Sequence, residues 1–546
     1  MPIAERIDVQ ALMHAYYETK PDPSDALQRV NFGTSGHRGS ATLGSFNQWH
    51  VWAIVQAICN YRKHAQISGP LHLGFDTHAL SQPAFESALE VLAANDVDVR
   101  IAKDGEYTPT PVISRAILTY NRSRTAALSD GVVITPSHNP PDAGGLKYNT
   151  PNGGPADAAV TRWIQNHANA LLGQRLQGVR TIPFSAALHA SSTHPSNLLE
   201  SYISELEGVI DMAAIAGSGL RIAVDSMGGA GVNYWARIAE RYGLNLTLIN
   251  ALVDPQFGFM TRDWDGKIRM DPSSRFAMQP LIALKDQFDI GIACDTDHDR
   301  HGVVTPEHGL LSANHYLSAA IDYLGQHRPL WLTHAGVGKT IVSTAMLDKI
   351  ARRQGRTLFE TPVGFKYFAE GLLDGSLVFA CEESAGASFS QIDGNVWTTD
   401  KDGMSAALLA AEMTAVTGKN PAQRYAELER EFGVIYGDRI EAVATSLQKE
   451  KLTHLNPEHI ARASLAGDAI TNVMTHAPGG GASVGGIKIV STQGWFAARP
   501  SGTEDIYKIY AESFKSAEHL DLILADAQAL VAQTLAETED QNAARS

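Results

Sequence analysis

The sequence Gly131-Val132-Val133-Ile134 leads directly into Thr135-Pro136-Ser137-His138-Asn139-Pro140. The first four residues predict a β-strand, and a strand that runs into a polar loop is typical of an α/β sheet, which presents functional groups at the carboxyl edge of its strands. The two prolines restrict their own φ angles and the residues before them, so Ser137 is expected to lie in a stiff loop. A lone Ser-His pair is also compatible with an ordinary surface turn. The segment that follows could bring Lys147 back beside Ser137.

The residues before this loop predict alternating strands and helices. Residues 71–75 and 97–101 have the composition of strands. Between them, Ser81 is expected to cap a helix that continues through Ala94. This alternation predicts a parallel or mixed sheet.

Length and charge limit the classes of function. A chain of 546 residues suggests several domains, and 44% hydrophobic with 19% charged residues is ordinary globular composition. The 59 acidic residues outnumber the 44 Lys and Arg, which gives a net charge of -15. This balance argues against nucleic acid or an anionic membrane as the main partner, but a few convergent cations could still bind a small anion.

The cysteines and the N-terminus predict a cytoplasmic protein. Cys59, Cys294 and Cys381 are widely spaced and odd in number, which is not the pattern of a disulfide framework or a zinc site. The first residues lack the apolar core of a signal peptide, and no run of about 18 apolar residues predicts a membrane span.

The order of strands and loops divides the chain into four units. The segment His189 to Ser196 is small, polar and rich in His, and predicts a loop that approaches the first boundary. Asp402 is expected to cap an apolar helix from Met404 to Val416, and a helix from about Ala517 to Ala536 to precede a frayed tail over 538–546. The expected units are residues 1–205, 206–325, 326–434 and 435–546.

Three alternating aspartates, Asp295, Asp297 and Asp299, follow another predicted strand. On an extended loop they would lie on one side and offer hard oxygen ligands to a divalent cation. An EF-hand is excluded because Arg300 and Pro306 occupy the positions that need Gly and Glu. A solvated acidic turn is the alternative.

Two further loops suit an anion. Residues 31–39 contain three glycines around Arg38, so their backbone amides could face a phosphate. Arg499-Pro500-Ser501-Gly502-Thr503 combines a guanidinium, two hydroxyls and a flexible amide. In contrast, residues 336–340 are not a P-loop, because Thr333 stands where the first glycine is required.

Together with Glu382-Glu383-Ser384, these loops suit phosphoryl transfer to a polyol. The chain resembles the α-D-phosphohexomutases over nearly its whole length, and within them the bacterial phosphoglucomutases. The motifs that carry the resemblance occur in the same order and spread over all four units. The resemblance implies four domains around a central cleft, the first three α/β with mixed sheets and the last a smaller α+β domain.

The resemblance also implies the site residues. Ser137 would carry the phosphoryl group, with His138, Lys147 and Arg38 as further catalytic residues. Mg²⁺ would be bound by Ser137, through a phosphoryl oxygen, and by Asp295, Asp297 and Asp299. The implied substrate-binding residues are Thr34, Arg300, His301, Val363, Gly364, Lys366, Glu382, Ser384, Lys401, Arg499, Ser501, Gly502 and Thr503.

The implied reaction interconverts glucose 1-phosphate and glucose 6-phosphate through glucose 1,6-bisphosphate, which would also act as activator. The expected partners are small sugar phosphates, and the expected assembly is a monomer or homodimer. Two departures from the family pattern bear on the sugar. Val363 precedes Gly364 where some relatives have Thr, and Ala385 follows Ser384 where phosphomannomutase-type enzymes have Gly, which favours glucose.

Three alternatives stay open at this point. The first is a phosphomannomutase or another phosphohexomutase. The second is a Mg²⁺-dependent sugar phosphatase, although the haloacid-dehalogenase pattern is broken at Asp299. The third is a non-catalytic phosphosugar-binding protein, which would be expected to lose Ser137.

Overall fold

The computed structural model describes residues 6–33, 36–453, 463–500 and 506–543, which form four sheets with their helices. The first three sheets mix parallel and antiparallel strands, and the fourth is antiparallel throughout. The predicted fold class, three α/β units with mixed sheets and a smaller α+β unit, is confirmed.

The first sheet has seven strands in the order β1-β2-β6-β5-β3-β4-β7. Its strands are β1 (Phe32–Gly33), β2 (Gly36–Ser40), β3 (Leu71–Phe75), β4 (Val99–Ala102), β5 (Asp130–Ile134), β6 (Ala143–Asn149) and β7 (Thr193–Ser196). The helices are α1 (Val9–Glu18), α2 (Gln48–His64), α3 (Ser81–Ala94), α4 (Thr110–Asn121), α5 (Ala158–Gly173), α6 (Phe184–Leu188) and α7 (Leu198–Glu205).

The second sheet has five strands in the order β12-β11-β10-β8-β9. They are β8 (Ile222–Asp225), β9 (Leu246–Ile249), β10 (Ile290–Cys294), β11 (His301–Thr305) and β12 (Gly309–Leu310), with helices α8 (Met212–Ser218), α9 (Val232–Tyr242) and α10 (Gln279–Ile282).

The third sheet has four strands in the order β14-β13-β15-β16. They are β13 (Gly336–Thr340), β14 (Leu358–Thr361), β15 (Leu377–Glu382) and β16 (Gly386–Phe389). The helices are α11 (Ala313–His327), α12 (Met346–Arg353), α13 (Ala369–Asp374), α14 (Gly403–Thr417) and α15 (Pro421–Phe432).

The fourth sheet has six strands in the order β17-β22-β21-β20-β19-β18. They are β17 (Tyr436–Val443), β18 (Ser464–Leu465), β19 (Asp468–His476), β20 (Ser483–Ser491), β21 (Gly494–Pro500) and β22 (Ile506–Ser513), with helices α16 (Ser446–Thr453) and α17 (Ala517–Ala543).

Helix α14 joins the second and third sheets through one apolar core. It is apolar on all sides and contacts strands of both sheets, and a single core cluster contains residues from the two units. Asp402 caps it as predicted, since its side chain accepts hydrogen bonds from the backbone of Met404 and Ser405. The same carboxylate accepts from Tyr202 and Trp397, so the cap also ties the helix to its surroundings.

Three local predictions were wrong. Thr193–Ser196 is not loop but an edge strand that pairs in parallel with β4, which tolerates Pro195 because an edge strand leaves one row of backbone groups unpaired. Helix α3 starts at Ser81 as expected, but the Ser81 hydroxyl donates to Asp76 and does not cap the helix. Helix α17 continues to Ala543, through most of the segment expected to be frayed.

The remaining structural expectations concern cysteines and membranes. All three cysteines are buried and free. Among the described residues, the search for a helix long and apolar enough to cross a membrane found none.

Candidate active site

Three polar loops occupy equivalent places in the first three sheets. In each sheet a strand with a parallel neighbour is followed, after a connecting loop, by an antiparallel strand that pairs with it: β5 by β6, β10 by β11, and β15 by β16. These hairpins contain Ser137, the aspartates, and Glu383 with Ser384. The fold therefore presents three of the sequence motifs at corresponding sheet edges.

Each hairpin contains a non-glycine residue with positive φ. The angles are 58° at Ser137, 59° at His298 and 67° at Ala385. Side chains rarely adopt this left-handed conformation, and where they do the surrounding structure must hold them there. Such residues concentrate at functional sites, which agrees with the motifs.

Ser137 contacts the aspartate loop across the boundary between the first two units. The residue is buried, and its Oγ donates a hydrogen bond of 2.7 Å to Asp295 Oδ2. His138 Nδ1 lies 3.4 Å from the same Oγ. The serine hydroxyl and the aspartate loop, far apart in sequence, therefore share one site.

The carboxylates of Asp295, Asp297 and Asp299 converge. Each offers an oxygen within 4.8 Å of the others, and all three residues are buried. The hairpin is supported from behind, since Trp235 donates its indole N–H to His298 Nε2 at 3.0 Å. The solvated acidic turn is thereby excluded as a description of this loop.

Two lysines supply positive charge to this cluster. Lys147 Nζ donates to Asp297 and Asp299 at 2.6 Å and 2.7 Å, and Lys401 Nζ lies 3.1 Å from Asp299. Burial opposes a charge on Lys147, but the two aspartates outweigh it and raise its pKa. Burial likewise opposes ionisation of Asp299, but Lys147 and Lys401 hold the pKa of that carboxyl well below its usual range.

Among the described residues, no lysine forms such an ion pair with Asp295. Its burial, with the charges of Asp297 and Asp299, raises its pKa well above the usual range. One cation that contacts all three carboxylates would remove this repulsion. Asp297 Oδ1 has no hydrogen bond within the described residues, so it is free to coordinate. The oxygen-only donor set fits a small hard cation such as Mg²⁺.

Two arginines add further positive charge beside the aspartates. Arg38 donates to the Asn139 side-chain oxygen at 3.2 Å, and the Arg300 backbone N–H donates to Asp295 Oδ1 at 3.0 Å. Burial and the nearby charge of Arg300 lower the pKa of Arg38. Two partly buried guanidiniums that repel each other favour an anion between them.

The third hairpin is linked to the second. The Arg300 backbone pairs with Gly386, and the His301 N–H donates to the Ala385 carbonyl at 3.1 Å. Glu382 Oε1 accepts from the Gly364 N–H at 2.9 Å, so the Val363–Gly364 segment lies beside the acidic loop. Burial raises the pKa of Glu382.

The other predicted substrate residues lie at different distances from this centre. Ser384 is partly exposed in the third hairpin, and Lys366 lies over the ring of Tyr367. The His301 ring packs edge-on against Tyr316 in the core. Arg499 is on β21 opposite Lys508, and none of its contacts among the described residues joins it to Ser137. Thr34, Ser501, Gly502 and Thr503 lie outside the described residues.

Family models match in each of the four units. They are described as phosphoglucomutase/phosphomannomutase alpha/beta/alpha domain I at residues 29–174, domain II at 200–309 and domain III at 312–432, and the C-terminal domain at 459–529. A phosphoglucomutase of Komagataeibacter xylinus is 53% identical over 537 residues, which are 98% of this chain and 97% of that protein. This chain belongs to the phosphoglucomutase/phosphomannomutase family.

Solved structures of phosphoglucomutase/phosphomannomutase proteins share the fold. Parafusin of Paramecium, a phosphoglucomutase in its open form, has a TM-score of 0.75 at 21% identity, covering 94% of this chain and 96% of that one. A putative phosphomannomutase of Thermus thermophilus has a TM-score of 0.72 at 24% identity, covering 94% and 100%. At these identities the likeness concerns the fold.

Residues outside the motifs, which no local pattern of the sequence indicated, also support this site. The Thr110 hydroxyl donates to Asp297 Oδ2 at 2.5 Å, and its backbone N–H donates to the Asp297 carbonyl at 2.9 Å. Asp76 and His78 hold the Ser137 loop. Thr110 lies between two prolines and Asp76 follows a predicted strand, but neither pattern indicates which residue the side chain contacts.

Proposed function

We propose that the protein is a phosphoglucomutase that interconverts α-D-glucose 1-phosphate and glucose 6-phosphate through a phosphoserine at position 137. The observation that carries the proposal is the contact of the Ser137 hydroxyl with the buried aspartate cluster, beside Lys147 and the two arginines. The relative from Komagataeibacter xylinus, which is named a phosphoglucomutase, supports the choice of reaction.

The reaction has two phosphoryl transfers. O6 of glucose 1-phosphate attacks the phosphorus of phosphorylated Ser137, the bond to Oγ breaks, and glucose 1,6-bisphosphate forms. The bisphosphate then reverses its orientation within the cleft, so that its 1-phosphoryl group faces Ser137. Ser137 Oγ then attacks the 1-phosphoryl group, which leaves glucose 6-phosphate. Catalysis of this kind depends on positioning and on charge stabilisation.

Cations would stabilise the phosphoryl group in transit. Arg38, Lys147 and Arg300 surround it in this proposal. Asp295, Asp297 and Asp299, with a phosphoryl oxygen on Ser137, would hold Mg²⁺, which supplies positive charge at the transferring group. Lys147 and His138 are the two candidates for moving the hydroxyl proton, and the ion pairs of Lys147 keep its ammonium protonated in the present arrangement.

The other proposed roles concern the sugar and the distal phosphate. Glu382 and Ser384 would bind sugar hydroxyls, and Arg499 would bind the phosphate that is not reacting. The remaining proposed substrate residues are Thr34, His301, Val363, Gly364, Lys366, Lys401, Ser501, Gly502 and Thr503. The proposal includes glucose 1,6-bisphosphate as activator, a cytoplasmic location, a monomer or homodimer, and the four unit boundaries given above.

One coupled assay tests the reaction and the sugar. Glucose 1-phosphate and mannose 1-phosphate are compared, each with and without the matching 1,6-bisphosphate. A mutase with glucose preference is expected to turn over glucose 1-phosphate faster and to be primed by the bisphosphate. A phosphatase would instead hydrolyse the bisphosphate and release inorganic phosphate, and faster mannose turnover would contradict the preference.

Mass spectrometry tests the phosphoserine. After incubation with glucose 1,6-bisphosphate, the peptide spanning Thr135 to Lys147 is expected to carry phosphate in the wild type. Ser137→Ala should bind glucose 1-phosphate but convert almost none of it, while Ser201→Ala, on an exposed face of α7, should match the wild type. Many turnovers without phosphate on that peptide would contradict the mechanism.

A further inference from the structure

A buried network behind the Ser137 loop consists of Asp76, His78, Ser81 and Thr135. None of these side chains is more than 3% exposed. Asp76 and Thr135 each follow directly after paired residues, because Phe75 of β3 lies opposite Ile134 of β5 in the parallel register. The sheet therefore places the two side chains together at its carboxyl edge.

Thr135 connects Asp76 to the backbone of Ser137. Its hydroxyl donates to Asp76 Oδ2 at 2.6 Å and accepts the Ser137 N–H at 2.8 Å. Because the hydroxyl proton is held by the carboxylate, the oxygen lone pairs face the Ser137 amide. This amide belongs to the residue that is held at a φ of 58°.

His78 holds the other end of the loop. Its Nδ1 lies 3.0 Å from Asp76 Oδ2 and its Nε2 lies 3.0 Å from the Asn139 carbonyl. Both partners are oxygen atoms, so each ring nitrogen of His78 faces a hydrogen-bond acceptor. The Asn139 side chain in turn accepts from Arg38, so the same residue is held from two directions.

Both carboxylate oxygens of Asp76 accept two hydrogen bonds each within this network. Its Oδ1 accepts from the Ser81 hydroxyl at 2.5 Å and from the His78 N–H at 3.0 Å, while Oδ2 accepts from Thr135 and His78. Four donors fix both carboxylate oxygens. The Asp76 carboxylate is therefore linked to the loop before Ser137 through Thr135 and after it through His78 and Asn139.

We infer that Asp76, Thr135 and His78 are positioning residues for phosphoryl transfer, which hold Ser137 in its left-handed conformation and aim Oγ at Asp295. The inference rests on the proposed function, in which Ser137 carries the phosphoryl group. A released loop would relax toward an ordinary backbone conformation and move the hydroxyl from the aspartate cluster. A small displacement of a reacting group lowers the reaction rate far more than it lowers the affinity for the substrate.

Thr135→Val tests the hydroxyl while keeping the shape of the side chain. The rate of Ser137 phosphorylation by glucose 1,6-bisphosphate is expected to fall at least tenfold, with kcat following it. The Kd for glucose 6-phosphate should stay within about twofold, because the sugar and distal phosphate contacts are untouched. Thr135→Ser, which restores the hydroxyl, should recover most of the rate.

Thr77→Val is the matched control. Thr77 is the next residue after Asp76 and is also buried, but its hydroxyl has no hydrogen-bond partner within the described residues. It should behave as the wild type. If Thr135→Val does not fold, His78→Phe, which leaves Thr135 in place, is expected to slow phosphorylation severalfold.

The outcomes separate the inference from the proposed function. Wild-type rates in Thr135→Val, equal damage in Thr135→Ser, or a parallel loss of sugar-phosphate affinity would each overturn the positioning role. A wild type that is never phosphorylated at Ser137 would overturn the proposed function instead. Crystal structures then decide the inference: Ser137 should keep positive φ in the wild type and lose it in Thr135→Val.

Discussion

At the scale of single residues, charge compensation defines this site. Lys147 contacts two of the three aspartates and Ser137 contacts the third, while Thr110 supports Asp297 from the start of α4. Buried charges of one sign are stable only when opposite charges or donors face them. Each of these side chains is therefore held in place by the charges and hydrogen-bonding groups around it.

Asp297→Asn tests whether the aspartate cluster binds a metal ion. The amide removes one negative charge and one oxygen ligand, so turnover is expected to fall by orders of magnitude and Mg²⁺ to bind more weakly. Calorimetric titration with Mg²⁺ alone measures the binding without relying on activity. Asp289→Asn, at the exposed other end of β10, is the control and should change neither quantity. Unaltered Mg²⁺ affinity in Asp297→Asn would remove this carboxylate from the site.

The buried side chain of His72 should make the free energy of unfolding depend on pH in the acid range. The ring is 6% exposed and neither nitrogen has a hydrogen-bond partner within the described residues. Burial, with the charge of Arg100 as the smaller cause, lowers its pKa from 6.5 to about 4. Between these values the unfolded chain binds more protons, so the stability that neutral His72 contributes is present above pH 6.5 and is lost as pH falls toward 4.

His72→Leu should therefore reduce sensitivity to acid. Between pH 7 and pH 5 the wild type is expected to lose about 1–2 kcal/mol more free energy of unfolding than the variant. Urea titrations of both proteins at the two pH values measure the difference. An equal loss in both proteins would show that this histidine does not titrate on unfolding.

At the scale of elements, the hairpins depend on close approach between strand and loop. Gly145 of β6 lies directly under the Ser137 loop: a Cβ there would be 2.3 Å from the Thr135 carbonyl oxygen and 2.9 Å from Pro136 Cα. The Thr135 N–H donates to the Gly145 carbonyl at 2.9 Å. The absence of a side chain at Gly145 therefore allows the Ser137 loop to pack closely against β6.

Gly145→Ala is expected to displace this loop. The nearest atoms that the added methyl group would meet are backbone atoms of Thr135 and Pro136, which cannot swing aside as a flexible side chain could. We therefore expect a loss of about 1–3 kcal/mol in the free energy of unfolding and at least a tenfold loss of kcat. Thermal unfolding and the coupled assay measure the two effects. Gly173→Ala, at the end of α5 where a Cβ meets nothing within 4 Å, should be close to neutral. Similar results for both variants would contradict the close-approach argument.

At the scale of the whole molecule, the site exists only where units meet. Ser137 of the first sheet reaches Asp295 of the second, and Arg300 pairs with Gly386 of the third. Lys401 extends from the segment before α14 to Asp299. Arg499, the proposed ligand of the distal phosphate, lies on the separate sheet of the fourth unit. A bound sugar phosphate would connect this unit to the other three.

Arg499→Ala should test that connection. We expect KM for glucose 1-phosphate to rise strongly and kcat to fall as well, because binding energy at the distal phosphate positions the reacting hydroxyl. Steady-state kinetics with saturating bisphosphate separates the two parameters. Lys515→Ala, which removes a cation of the same unit that pairs with Asp468, should leave both unchanged. If Arg499→Ala keeps both parameters, Arg499 does not take part in substrate binding.

The sequence by itself determined the local elements and the chemistry of the loops. The strands that precede Thr135 and Asp295, the Asp402 cap and the mixed-sheet fold class follow from short stretches, because propensity, capping and turn restrictions act between residues that are close in the chain. From the residue types of the motifs, the sequence predicted a site for a phosphate and a divalent cation.

Only the tertiary structure decided which groups meet. The Ser137–Asp295 contact spans 158 positions, the Thr110–Asp297 contact spans 187 and the Thr135–Asp76 contact spans 59. It also made Thr193–Ser196 an edge strand and turned the Ser81 hydroxyl from its helix toward Asp76. Hydrogen-bond partners at such separations are selected by sheet register and unit packing, which no local pattern of residues specifies.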